Sequence, residues 1–194
     1  MNFHPSPSAA ADNSYTGIAI GLHWLIAFAI IGSFSVGLYM VDLPLSPQKL
    51  KIYSWHKWAG VTIFLCVALR LVWRLTHRPP ELPPGVPAWQ RSLAAATHVL
   101  LYLLMVAVPL SGWLMSSAKG FQTVWFGVLP LPDLLTKNAE LGDLLQQMHK
   151  LLNYSMAALV FAHLGAALKH HFIDRDDILA RMLPFLRNTL GGIK

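Results

Sequence analysis

The chain reads as an all-α membrane protein, a bundle of four transmembrane helices with both termini cytoplasmic. Three observations predict this. First, 55% of the 194 residues are hydrophobic, only 12% are charged, and the mean hydropathy is +0.47, which is outside the range of soluble globular chains. Second, the apolar residues are gathered into four runs, Ile18–Val41, Tyr53–Leu75, Ser92–Ser116 and Leu145–Phe172. Each is long enough to cross about 30 Å of hydrocarbon, which takes about 20 helical residues, and none alternates as a membrane β-strand would. Third, histidines recur inside these runs, where an ionisable side chain is costly and marks a functional position by default.

The domain organisation follows: a flexible N-terminal tail over 1–17, the four-helix transmembrane domain over 18–172, and a cytoplasmic tail with a short surface helix over 173–194. Met1–Thr16 carries no Lys or Arg, so it lacks the basic region of a cleavable signal. With four helices both termini lie on one side, and that side holds nine of the fifteen Lys and Arg residues. The positive-inside rule therefore makes it the cytoplasmic side. The net charge of +6 flanks the apolar runs, which suits lipid head groups rather than nucleic acid.

The first helix carries His23-Trp24 just inside its start. The stretch Asp42–Gln48 is turn chemistry. The second helix opens with Tyr53, Trp55, His56, Lys57 and Trp58, aromatic residues that mark the opposite interface. It ends with Arg70 and Arg74, one turn apart on one face, placed either to reach lipid phosphate or to pair with an anionic cofactor group. The Pro-rich link Pro79–Pro87 cannot be helical. The third helix has His98 and Tyr102 on one face and a kink expected at Pro109. The long link Ser117–Gly142 contains a candidate surface helix, Asp133–Leu145. In the fourth helix His149 and His163 are fourteen residues apart. At about 100° per residue they return to within about 40° of one direction, and at about 1.5 Å rise they are about 21 Å apart along the axis. The mixed charges after Phe172 and the apolar stripe of Ile178–Leu186 predict the cytoplasmic surface helix.

Sorted by depth, His56 and His149 lie near one surface, and His23, His98 and His163 near the other. With no thiolate or carboxylate near them, a closed zinc site is poorly supported, whereas paired imidazoles facing across a bundle suit haem iron. His56 pairs with His149. His163 takes either His23 or His98. Two axial histidines leave no open position for oxygen chemistry and suit one-electron transfer. Arg70 and Arg74 are at the depth of the inner propionates, and Lys57 and Lys150 at that of the outer ones. No Cys-x-x-Cys-His is present, so covalent haem is excluded. The lone Cys66 reads as an inert core residue. The helix cores lack Asp and Glu, which argues against a transporter or proton relay, and no arrangement for nucleophilic catalysis is present.

The order and spacing of several stretches resemble the bacterial cytochrome b561 family, which is similar to the haem b subunits of formate dehydrogenases and nickel–iron hydrogenases. These stretches are His23-Trp24-Leu25, Trp55-His56-Lys57 with Gly60, Arg70 to Arg74, His98 with Tyr102, Gly112 to Ser116, His149 with His163, and Leu168 to Pro184. The resemblance implies two non-covalent haem b groups, ligated by His23 with His163 and by His56 with His149, with His98 left in a propionate or quinone environment. It implies single-electron transfer across or along the cytoplasmic membrane, exchange with the quinone pool (ubiquinone as a candidate ligand), and superoxide as one candidate donor. The alternative is a haem b anchor subunit that receives electrons from a dehydrogenase partner. The electron donor, and which end holds a quinone, stay open.

Overall fold

The computed structural model describes residues 14–83 and 85–186. Four long helices are present: α1 Gly17–Val41, α2 Pro47–Thr76, α3 Ala88–Ala118 and α4 Ala139–Lys169. Each is long and apolar enough to cross a membrane. They alternate in direction, so the described ends of the chain share one end of the bundle, here called the inner end.

The starts of the helices are written locally. Thr16 Oγ1 accepts from Ala19 N at 3.3 Å and caps α1. Ser46 accepts from Lys49 N at 3.2 Å, and Pro47 follows at the first helical position, where its missing N–H costs nothing. This cap starts α2 at Pro47, six residues before the apolar run that announces it, so Asp42–Ser46 is the whole turn. Asn138 Oδ1 accepts from Leu141 N at 3.0 Å and caps α4, with Glu140 in the first turn.

Two expected surface helices take other forms. Of Asp133–Leu145, only the part from Ala139 is helical, and it is continuous with α4. The residues before it are tied to the end of α3, by Leu134 N to Ser117 Oγ at 3.2 Å and Asn138 N to Ala118 O at 2.9 Å, which draws them away from helical bonding. The link also contains a small hairpin, β1 Val124–Trp125 paired antiparallel with β2 Leu129–Pro130. At the other end α4 closes in a π-helical turn, His170–Asp174, followed by Arg175 in the left-handed region. Ile178–Met182 forms turns, and only Pro184–Leu186 makes a 3-10 turn. Tertiary bonds override the apolar stripe there. Arg181, 4% exposed, donates to the Glu81 carbonyl and pairs with Asp177, and the Met182 carbonyl accepts from Trp24 Nε1 at 2.8 Å. Of the expected N-terminal tail, Met1–Asn13 lies outside the described residues, whereas Thr16 is held by its cap and by Trp73 Nε1 at 3.0 Å.

In the bundle α1 packs on α2 and α3 on α4, and α2 joins the two pairs through α3. Helix α4 makes no comparably close backbone approach to α1 or α2. The densest core, Ile26, Ile63 and Val67 with Cys66 and Met105 beside it, lies between the two histidine levels. Large apolar side chains such as Leu25, Phe28, Ile31 and Leu69 point outwards, which is a liability in water and the ordinary state of a helix in lipid.

Candidate functional site

At the outer end His56 of α2 faces His149 of α4, with ring centres 6.4 Å apart and the rings near perpendicular at 88°. Each imidazole is held from behind in the same way. His56 Nδ1 is 3.1 Å from the Ser33 carbonyl and 3.2 Å from Ser33 Oγ on α1. His149 Nδ1 is 3.0 Å from the Val108 carbonyl and 3.0 Å from Ser111 Oγ on α3. Because a carbonyl only accepts, Nδ1 carries the proton in both rings, and each Nε2 keeps its lone pair.

A glycine makes each approach possible. A Cβ on Gly37 would lie 3.3 Å from His56 Cε1, and one on Gly112 would lie 3.1 Å from His149 Cε1. Each glycine comes one helical turn after the carbonyl that receives the ring, Ser33 before Gly37 and Val108 before Gly112. Pro109, next to that second carbonyl, withholds the N–H that would bond Met105 O and loosens α3 at this point.

At the inner end His163 of α4 meets two rings. His23 of α1 lies 6.4 Å from it at 64°, and His98 of α3 lies 5.4 Å from it at 67°. Both alternatives that the depth sorting left open are therefore brought to one place. Arg70 Nε donates to Tyr102 OH at 3.0 Å, and the Arg74 guanidinium lies over the Tyr102 ring at 5.6 Å. Arg70 is also close enough to act electrostatically on all three inner imidazoles. A cleft lined by Thr16, Arg70, Trp73, Arg74, His77 and Tyr102 opens beside them.

Lys57, expected at the outer site, has its ammonium on the Phe121 carbonyl at 2.9 Å and ties α2 to the outer link. His170, at the inner boundary, is held by Asp176 at 2.6 Å and Asp174 at 3.2 Å, with Lys169 also on Asp174, and this closes the end of α4.

A family profile described as prokaryotic cytochrome b561 matches residues 14–185. "Cytochrome b561 homolog 2" of Escherichia coli K12 is 36% identical over 170 residues, covering 87% of this chain and 90% of that protein. "Cytochrome b561 homolog 1" of the same organism is 30% identical over 175 residues, covering 89% and 98%. This chain belongs to the prokaryotic cytochrome b561 family. A "Probable superoxide oxidase CybB" of Yersinia pestis is also similar, 29% identical over 171 residues, covering 88% and 96%.

Membership in the cytochrome b561 family implies haem b binding by a multi-pass bacterial membrane protein. In this b561 chain the match spans all four helices and every histidine described above. The residues that sequence reasoning missed are the ones behind the outer rings, Ser33, Gly37, Val108 and Ser111. The signal available was a serine one turn before a glycine on α1 and a serine next to a glycine on α3, patterns too common in membrane helices to single out.

Proposed function

We propose that the chain is a di-haem b cytochrome of the inner membrane, with His56 and His149 holding the outer haem and His23 and His163 the inner one. The haems supply reversible one-electron chemistry when bound. The observation that carries this reading is the equal 6.4 Å spacing of the two ring pairs, set at matching depths on α4. Two metal–imidazole bonds of about 2.0 Å each, with about 1.1 Å more from nitrogen to ring centre, separate opposed ring centres by about 6 Å. His98 at 5.4 Å is nearer to His163 than that span, which favours His23 as the ligand.

The surrounding residues act on the iron through the protein. The Ser33 and Val108 carbonyls fix the outer tautomers and ring planes, so that Nε2 of each ring points across the bundle. The limited contact between α4 and the α1–α2 pair leaves the separation between helices that a flat macrocycle requires. Arg70 and Arg74 offer charge-assisted bonds to inner propionates, with Tyr102 keeping Arg70 in place. Exchange with the quinone pool is assigned to the inner end, where Trp73 and Tyr102 offer aromatic surface and Arg70 and Arg74 offer donors to quinone carbonyls. Superoxide is proposed as a donor on the strength of the Yersinia relative's name. The excess of Lys and Arg at the inner end supports a cytoplasmic location for both termini.

A pyridine haemochrome assay on detergent-purified protein tests the reading. Two haem b per chain are expected, with a six-coordinate low-spin spectrum. His56→Ala and His149→Ala should each leave one haem per chain. Retention of both haems in either variant would overturn the outer pairing.

A further inference from the structure

Phe121–Pro132 (FQTVWFGVLPLP) contains no charged residue, although it lies in the link between α3 and α4. Its backbone is largely satisfied within the link itself. Beyond the β1–β2 pairing, Gly127 N bonds Val124 O at 3.1 Å, Val128 N bonds Trp125 O at 3.0 Å, and Leu131 N bonds Thr123 O at 2.8 Å. Non-helical backbone survives in a non-aqueous layer only under that condition.

The hairpin does not stand above the bundle. Trp58 Nε1 donates to the Val124 carbonyl at 2.6 Å, and Trp125 Nε1 reaches Thr62 Oγ1 at 3.3 Å. Thr62 is six residues past His56, about 9 Å further along α2. On the other flank Trp113 Nε1 donates to the Pro132 carbonyl at 3.1 Å, and Trp113 follows Gly112, the residue behind the His149 ring. Both sides of the hairpin are thus pinned at the level of the outer histidine pair, well below the start of α2 at Pro47 and the end of α3 at Ala118.

At that depth its outward side chains are apolar and open: Phe126 is 58% exposed, Val128 83% and Leu129 51%. Phe126 takes a φ of 51°, a left-handed conformation that a bulky residue adopts only under constraint, and its ring lies 5.4 Å from that of Trp58. Below the hairpin, Leu65 shares a helical face with Trp58 and Thr62, and is itself exposed. The apolar surface of the hairpin therefore continues the lipid-facing surface of α2.

We propose that the hairpin is a wedge inserted into the outer-end leaflet, whose Phe126, Val128 and Leu129 contact lipid acyl chains and cover the flank of the outer histidine pair between α2 and α3. The occupant is lipid rather than a docked protein, because the patch lacks the charge that steers protein partners and is level with a span already facing lipid.

The test places one nitroxide at a time on full-length, haem-loaded protein with Cys66→Ala, reconstituted in phosphatidylethanolamine–phosphatidylglycerol vesicles. Val128→Cys is the probe, Leu65→Cys the lipid reference, and Leu45→Cys, 85% exposed in the α1–α2 turn, the aqueous reference. Collision with oxygen relative to a water-soluble nickel chelate should be several-fold higher at Val128 than at Leu45 and close to that at Leu65. A ratio equal to that at Leu45 would place the hairpin in water and overturn the proposal. A strongly immobilised label that neither reagent reaches would mean a protein contact and overturn it equally. Should Val128→Cys fail to fold by circular dichroism, Leu129→Cys gives the same reading.

Discussion

His98 and His23 compete for one neighbour, and the contest separates ligand from bystander at the scale of a single residue. Both rings contact His163. His23→Ala should lose one haem and His98→Ala should keep both, read as haem per chain; the reverse result would assign His98 as the ligand. The glycines behind the outer rings offer a second test. Adding a branched side chain at Gly112, where even a Cβ comes within 3.1 Å of the His149 ring, should displace that imidazole. Gly112→Val is expected to turn one of two haems high-spin or lose it, while helical content is retained. Gly32→Val is the matched control, since Gly32 is exposed on the face of α1 that carries Leu25 and Phe28 and a Cβ there meets nothing within 4 Å, and its spectrum should equal that of the parent.

Among the elements, α4 contributes to both histidine levels, so its start governs more than local order. Asn138 is the cap, and caps of this type are worth about 1 kcal/mol. Asn138→Ala should lower stability by that amount, seen as a reduced thermal midpoint by circular dichroism, without changing the number of haems. At the inner end the segment after α4 is held to the bundle by Trp24 and by the buried Arg181. Trp24→Phe deletes the indole N–H that binds the Met182 carbonyl. It should speed tryptic cleavage at Arg181 severalfold, while a substitution at the exposed Phe185 should not.

For the whole molecule the first question is orientation. In the Cys66→Ala background, Leu45→Cys lies at the outer end, opposite the described termini. It should react with a membrane-impermeant maleimide added outside intact spheroplasts. Labelling only after lysis would reverse the orientation inferred from the Lys and Arg distribution.

Hydropathy and helical periodicity are local properties, and they carried the reading a long way. Span lengths and the fourteen-residue interval on α4 follow from rise and rotation per residue, and they sorted the histidines into the same two groups that meet in the structure. The family was legible in the order of motifs along the chain. What needed the fold was every relation between helices, because no spacing along a chain connects residue 23 to residue 163, or Gly112 to the ring it admits. Packing brought Ser33 and Val108 behind the outer imidazoles, drew Lys57 to the outer link, and laid the hairpin down on α2. The expected surface helices took other forms for the same reason. Their apolar patterns are weak local preferences, and bonds from Ser117, Ala118, Trp24 and Arg181 outweighed them.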